Sequence, residues 1–175
     1  FGVTTLGGGA SRDAAEKRAL PQVVVAAEQW NRIARLLQQK QPVQMSVDVR
    51  ATYYDDDLQG YNVVGEIPGT DPALKDQLVM LGAHFDSWHP ATGTTDNGIG
   101  SAVVMEAARL LQSLPERPRR TIRVALWTGE EQGLLGSRGY AKTHFADPET
   151  MELQPEHGRL SGYFNLDNGA GKIRG

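Results

Sequence analysis

Apolar positions recur along this chain with more than one period. Over residues 28–39, Trp30, Ile33, Leu36 and Leu37 return at helical spacing while Arg32, Arg35 and Gln38 fall elsewhere. That spacing predicts an amphipathic helix with Trp30 in its packed stripe. Val43, Met45, Val47 and Val49 then alternate with Gln44, Ser46, Asp48 and Arg50, the period of a half-buried strand. The segment YNVVGEI from Tyr61 is its expected antiparallel partner. Beyond a Pro/Gly-rich break at 68–72 the texture changes to strand, helix, strand, helix, strand. QLVMLGA and TIRVALW are near-continuous apolar runs, as buried parallel strands are. Between them, GSAVVMEAARLLQSL puts Val103, Val104, Ala107, Leu110 and Leu111 on one helical stripe. A second helix is predicted over 134–143, and LSGYFNL from Leu160 reads as a further strand. The fold class is therefore α/β, helices layered on a mostly parallel sheet.

Composition narrows the function. With 175 residues, 39% of them hydrophobic, the chain has material for one domain with a real core. Basic and acidic residues number 18 and 21, spread along the chain for a net charge of -3. No basic face for nucleic acid and no polybasic membrane patch is present. No apolar run approaches the about 18 residues that span a bilayer, so peptide-like or small partners remain. Cysteine is absent, which excludes thiolate metal sites and leaves His and carboxylates as the ligands. The chain begins at Phe1, and a processed or excised piece is the expectation. The glycine run at 7–9 reads as a linker. Asp55, Asp56 and Asp57 lack the spaced ligands of a calcium loop and read as a solvated acidic loop. The basic cluster of Arg117, Arg119 and Arg120 reads as a solvated turn.

The chemistry gathers where the strands end. In an open parallel sheet, ligands bind outside the carboxyl ends of the strands. His84 and Asp86 end one apolar strand, Glu130 and Glu131 follow RVALWTG, and Asp167 closes YFNL. Asp96, in TTDNGIGSA, precedes the first of the two α/β helices and belongs to the same edge. Each residue has a plainer role available: Asp96 or Asn97 as a helix cap, His84 as a hydrogen-bonded strand end, Glu130 and Glu131 as a solvated loop, Asp167 as part of a turn. Together they are harder to dismiss, because carboxylates clustered on one edge repel one another unless a cation neutralises them. Imidazole with hard carboxylate oxygens suits zinc, with manganese or cobalt as lesser options. Adjacent glutamates diverge, so one is free to act as a base while the other coordinates. Asp86 is expected to bond the free nitrogen of His84 and fix its tautomer. Gly98-Ile99-Gly100 begins like a dinucleotide fingerprint, but Val103 stands where a third glycine belongs and no strand runs directly into it.

HFDSW, TTDNGIGSA, LWTGEEQGLLGS and NLDN, in that order, resemble the co-catalytic di-zinc exopeptidases, aminopeptidases and carboxypeptidases alike. The likeness is greatest to the branch that includes plasma glutamate carboxypeptidase and bacterial relatives, and PQVVVAAEQWNRIARLL and YNVVGEIPGTD share it. The resemblance implies a three-layer α/β/α sandwich around a mixed sheet, incomplete at its C-terminal side. Residues 1–42 would be a junction from a protease-associated domain, and 43–175 the N-terminal part of the catalytic domain. It implies two zinc ions in the intact parent and hydrolysis of a terminal bond in a peptide or dipeptide by a hydroxide bridging them. His84 and Asp167 would bind one zinc, Glu131 the other, and Asp96 both; Glu130 would be the general base and Asp86 the residue orienting His84. The peptide bond between Asp96 and Asn97 would be cis, and the location extracellular or periplasmic. The family's remaining histidine ligand has no counterpart at His89, His144 or His157, so one well-held zinc and negligible peptidase activity are expected of this chain. A single-zinc glutaminyl cyclase-like enzyme and a binding homologue without catalysis are the alternatives; the retained Glu130 and Glu131 speak against the second.

Overall fold

The computed structural model describes residues 24–171 except 49, 51–53, 55, 89–90, 168 and 170. The glycine run at 7–9, Val49, Asp55, His89 and Asn168 therefore lie outside the described residues. The chain divides into two units, Phe1–Asp56 and Asp57–Gly175.

In the first unit the predicted helix is present as α1 (Ala27–Gln38). It buries no residue, and Trp30 is 62% exposed, so the expectation of a packed Trp30 is corrected. The strand expected from Val43 is also absent: residues 41–48 have no regular structure, and Met45 and Val47 are more than half exposed. Alternation specifies a strand only where a neighbouring strand takes its hydrogen bonds and an apolar surface covers its face. No described residue of this unit forms such a neighbour.

The second unit holds the sheet. Strand β1 (Val63–Ile67) pairs antiparallel with β3 (Thr121–Trp127), so the expected hairpin with the Val43 segment gives way to a long-range pairing. Strand β2 (Leu78–His84) runs parallel to β3 on one side and to β4 (Leu160–Asn165) on the other, giving the order β1-β3-β2-β4. Helix α2 (Ile99–Ser113) joins β2 to its neighbour β3, while α3 (Leu135–His144) carries the chain back past β2 to β4. Right-handed crossovers in opposite directions put the two helices on opposite faces of the sheet. The mixed α/β architecture is the expected one. None of the described helices is long and apolar enough to cross a membrane.

Register decides what each face presents. His84 lies opposite Trp127, Gly82 opposite Ala125 and Asn165, and Met80 opposite Arg123 and Tyr163. Met80, Ala125 and Trp127 are buried under Tyr140 and Phe145 at α3. Arg123, 8% exposed, donates to Glu66 (2.6 Å), Glu156 (2.6 Å) and the Tyr140 hydroxyl (2.7 Å), so one buried cation ties β1, β3, α3 and the approach to β4. Burial alone raises the Glu156 carboxyl, but Arg123, with Arg159 and His144, more than offsets it and holds that group below its ordinary range. Toward the strand ends, Trp127 Nε1 donates to the Tyr163 hydroxyl (2.7 Å), which donates to Asn165 Oδ1 (2.6 Å). A Cβ at Gly82 would meet the Tyr163 hydroxyl and, at 2.7 Å, Trp127 Nε1. Gly82→Ala is therefore expected to destabilise the unit by about 1–3 kcal/mol through overpacking. A urea titration that leaves the midpoint unchanged would show that the Tyr163 and Trp127 side chains do not close over Gly82.

Candidate metal centre

The helices that follow β2 and β3 depart to opposite faces, so the crevice between those strand ends is a topological switch point. His84 is the last residue of β2 there and is 2% exposed. Its Nδ1 lies 3.1 Å from the backbone carbonyl of Asp86. A carbonyl only accepts, so Nδ1 carries a proton, and Nε2, which faces carboxylate oxygens, is the nitrogen left to ligate a cation once it is deprotonated. Around Nε2 stand Asp96 Oδ1 at 3.0 Å, Asp167 Oδ1 at 3.4 Å and Glu130 Oε2 at 3.9 Å. The structure thus brings together all six residues singled out in the sequence. Two sets have ligand atoms within 4.8 Å of one another: His84, Asp96 and Asp167, and His84, Glu130 and Glu131.

Backbone geometry explains each approach. Asp96 sits in an irregular turn, Thr94–Gly98, and the Asp96–Asn97 bond is cis, as the resemblance implied. Neither Asp96 nor Asn97 caps α2, since Gly98 holds the N-cap position and no side-chain cap bond is made. Instead the Ser101 hydroxyl donates to the His84 carbonyl at 2.8 Å, fastening α2 to the end of β2. Asp86 meets His84 Nδ1 chiefly through its backbone carbonyl. Its carboxylate is 3.5 Å from His84 Nδ1, farther than its own carbonyl. That carboxylate accepts the backbone N–H groups of Glu130 (3.1 Å) and Glu131 (3.2 Å), so it fixes the turn that presents both glutamates. Asn62 secures the same loop from β1, accepting from Thr128 N–H (3.1 Å) and donating to the Gly136 carbonyl (3.0 Å). Asn62 and Ser101 carry no sequence signal of their own, because their partners are backbone groups brought up by the fold.

Other candidates stay apart. His144 stacks on Tyr140 with centroids 4.2 Å apart and faces Glu156, within the Arg123 network. His157 precedes β4, at the end of that strand remote from Asp167. Arg119 donates to Asp71 and Arg120 to Gln77, so these two arginines fasten the turn before β3. A pocket of about 220 Å³ opens beside the cluster, where His84, Glu130 and Asp167 line it together with Trp127, Leu134 and Tyr163.

The electrostatics fit a cation. Burial pulls the His84 imidazole down, but the charges of Asp167, Glu130 and Asp86 and the bond to the Asp86 carbonyl more than offset it, so it lies above its ordinary value. Burial raises the Glu130 carboxyl, and Asp167, Asp86 and Asp96 raise it further against the pull of His84. Burial likewise raises Glu131, with Asp96 and Glu130 adding to it. No Lys or Arg among the described residues forms an ion pair with these carboxylates. One outward imidazole nitrogen and several hard oxygens match a zinc donor set.

Comparison with known proteins gives the same direction. The model of a family described as "Peptidase family M28" matches residues 62–173. Bovine carboxypeptidase Q is 32% identical over 137 residues, 78% of this chain and 28% of that protein. A probable leucine aminopeptidase 2 of Arthroderma benhamiae is 33% identical over 128 residues, 73% of this chain and 24% of the relative. The crystal structure of a peptidase M28 precursor from Shewanella amazonensis SB2B superposes with a TM-score of 0.55 at 42% identity, covering 65% of this chain and 23% of that one. The chain thus spans 28% or less of the length of these relatives.

The raised groups fix a pH dependence. His84, Glu130 and Glu131 all hold protons more tightly in the metal-free fold than in the unfolded chain. Their contribution is full below their ordinary values and is lost as pH rises through the raised ones. Glu156, held low, is already ionised there and adds no slope. The melting temperature of the chelator-treated protein is expected to fall from about pH 5 to about pH 8. Saturating zinc should remove or reverse that fall, because its ligands must be deprotonated. A melting temperature that rises across this range without metal would contradict the charge arrangement.

Proposed function

The chain belongs to peptidase family M28, and on that premise we propose that the cluster at His84 is a zinc centre for hydrolysing a terminal peptide bond, with a peptide or dipeptide as substrate. The observation that carries the reading is the approach of Asp96, Asp167 and Glu130 to one outward imidazole nitrogen, at 3.0, 3.4 and 3.9 Å. His84, Asp96 and Asp167 would hold one ion, and Asp96 with Glu131 would serve a second. Bound zinc supplies Lewis acidity, lowering the pKa of a water toward about 7 and polarising the scissile carbonyl.

The chain's own residues do the rest. His84 keeps its proton on Nδ1, against the Asp86 carbonyl, and leaves Nε2 free to ligate. Asp86 holds the Glu130–Glu131 turn by two backbone bonds, which sets where both carboxylates stand. Glu130 is the general base: it takes one proton from the attacking water as the oxygen adds to the carbonyl carbon, then returns it to the leaving amine as the C–N bond breaks. Its partly desolvated carboxyl, above the ordinary range, suits a group that must hold and release that proton.

Ligand counting limits what the 175 residues do alone. The set of His84, Asp96 and Asp167 is complete by the usual standard of three protein ligands; the other set, His84, Glu130 and Glu131, shares His84 and includes the base, so a second ion would be left with Asp96 and Glu131. About one zinc per chain and negligible turnover are expected from calorimetry and a fluorogenic exopeptidase assay. Two tight sites would overturn the ligand count. In an enzyme of the relatives' full length carrying this chain, Glu130→Gln should lower turnover by about 10²–10⁴-fold while zinc content stays unchanged. Retained turnover would remove Glu130 from the role of base, and lost zinc would make it a ligand.

A further inference from the structure

Asp96 and Asp167, the two carboxylates nearest His84 Nε2, are the most exposed members of the cluster, with side chains 66% and 41% accessible. Each lies on a connecting segment rather than within a strand or a regular helix turn. Like charges on two such segments drift apart unless something ties the segments together. One side chain does so. Asn97, next to Asp96 and 1% exposed, donates from Nδ2 to the carbonyl of Leu166 at 2.8 Å, and Leu166 immediately precedes Asp167. Leu166 N–H in turn donates to the Gly82 carbonyl at 2.9 Å, which anchors the tie to β2, two residues before His84.

The surroundings of Asn97 show how closely this joint is packed. Its Oδ1 is buried and has no hydrogen-bond partner among the described residues. The amide is therefore held there by its Nδ2 bond and by packing. Gly100, in the first turn of α2, is what lets it sit there: a Cβ on Gly100 would meet Asn97 Oδ1 and, at 2.6 Å, the Leu166 carbonyl.

We propose that Asn97 is a positioning residue: with Gly100 it forms a latch that sets the separation of Asp96 and Asp167 and so preorganises the metal ligands of His84's outward nitrogen. The proposal rests on the zinc reading above for its consequence, though the latch itself is a property of the metal-free chain. Residues that position metal ligands without touching the metal change affinity by about 10–100-fold when removed. Asn97→Ala removes the donor. Gly100→Ala removes no hydrogen-bonding group and instead displaces the amide, giving a second, independent perturbation should the first fail to fold. Ile122→Ala, at the far end of β3, is the control for a loss of stability that leaves the latch intact.

The test measures zinc affinity of the 175-residue chain and its variants by competition with a chelating dye, at a temperature where circular dichroism shows each to be folded. Amide exchange of Leu166 is followed separately in metal-free protein. Asn97→Ala and Gly100→Ala are expected to weaken zinc by about tenfold or more and to speed Leu166 exchange, with Ile122→Ala doing neither to a comparable degree. Zinc binding and exchange equal to the parent chain in both latch variants, or equal losses in Ile122→Ala, would overturn the proposal. If the parent chain takes up no zinc, the metal reading fails and the exchange result alone decides the latch: faster in Asn97→Ala than in Ile122→Ala supports it, equal rates overturn it.

Discussion

The structure turns on the repulsion among carboxylates drawn around one buried imidazole. Unit charges about 4 Å apart interact by about 4 kcal/mol at an effective dielectric constant near 20. Asp96, Asp167, Glu130 and Glu131 all have oxygen atoms within 4.8 Å of a His84 nitrogen. Left to solvent, such groups would separate; burial first, and the neighbouring carboxylates after it, displace Glu130 and Glu131 upward. A divalent cation turns the same arrangement from a liability into a binding site.

Holding the cluster together is the task of the surrounding fold. Opposite crossovers open a crevice at the ends of β2 and β3, and His84 fills its floor. Each loop that carries a carboxylate is then fastened to rigid structure by a side chain that bears no charge into the cluster, or turns its charge onto backbone amides. Ser101 binds α2 to β2, Asn97 binds the Asp96 turn to the end of β4, Asn62 binds β1 to the loop after β3, and the Asp86 carboxylate caps the Glu130–Glu131 turn. These bonds are intramolecular and present in the metal-free chain. The candidate ligands are thus largely placed without an ion, which would lower the ordering cost of binding one.

What the sequence revealed follows from how local each signal is. β2 and β3 were legible as near-continuous apolar runs because both faces of each strand are covered. The candidate cluster was legible because five of its residues end or follow strands, where polar side chains interrupt those runs, and Asp96 precedes α2. The partner of β1 was not, since β3 lies far along the chain and nothing in the Val43 alternation says that no described residue forms its sheet neighbour. Trp30 obeys helical spacing but belongs to a helix that buries no residue. In sequence Asn97 has a helix cap as one available role, as an Asx residue before an apolar run does. Only the return of β4 beside β2 shows that its amide is spent on Leu166. Asp86 likewise reads as a partner for His84, two residues away, whereas its carboxylate bonds to backbone more than 40 residues along the chain.

The central claim, that this carboxylate and imidazole cluster is a cation site set by the fold, is tested most directly by anomalous diffraction from crystals of the chain equilibrated with zinc, measured on both sides of the zinc absorption edge. The account predicts a strong anomalous peak within coordinating distance of His84 Nε2 and the carboxylates of Asp96 and Asp167, with the Asn97 to Leu166 bond intact beside it. Peaks confined to exposed carboxylates such as Glu116 and Glu149, with none at His84, would contradict it.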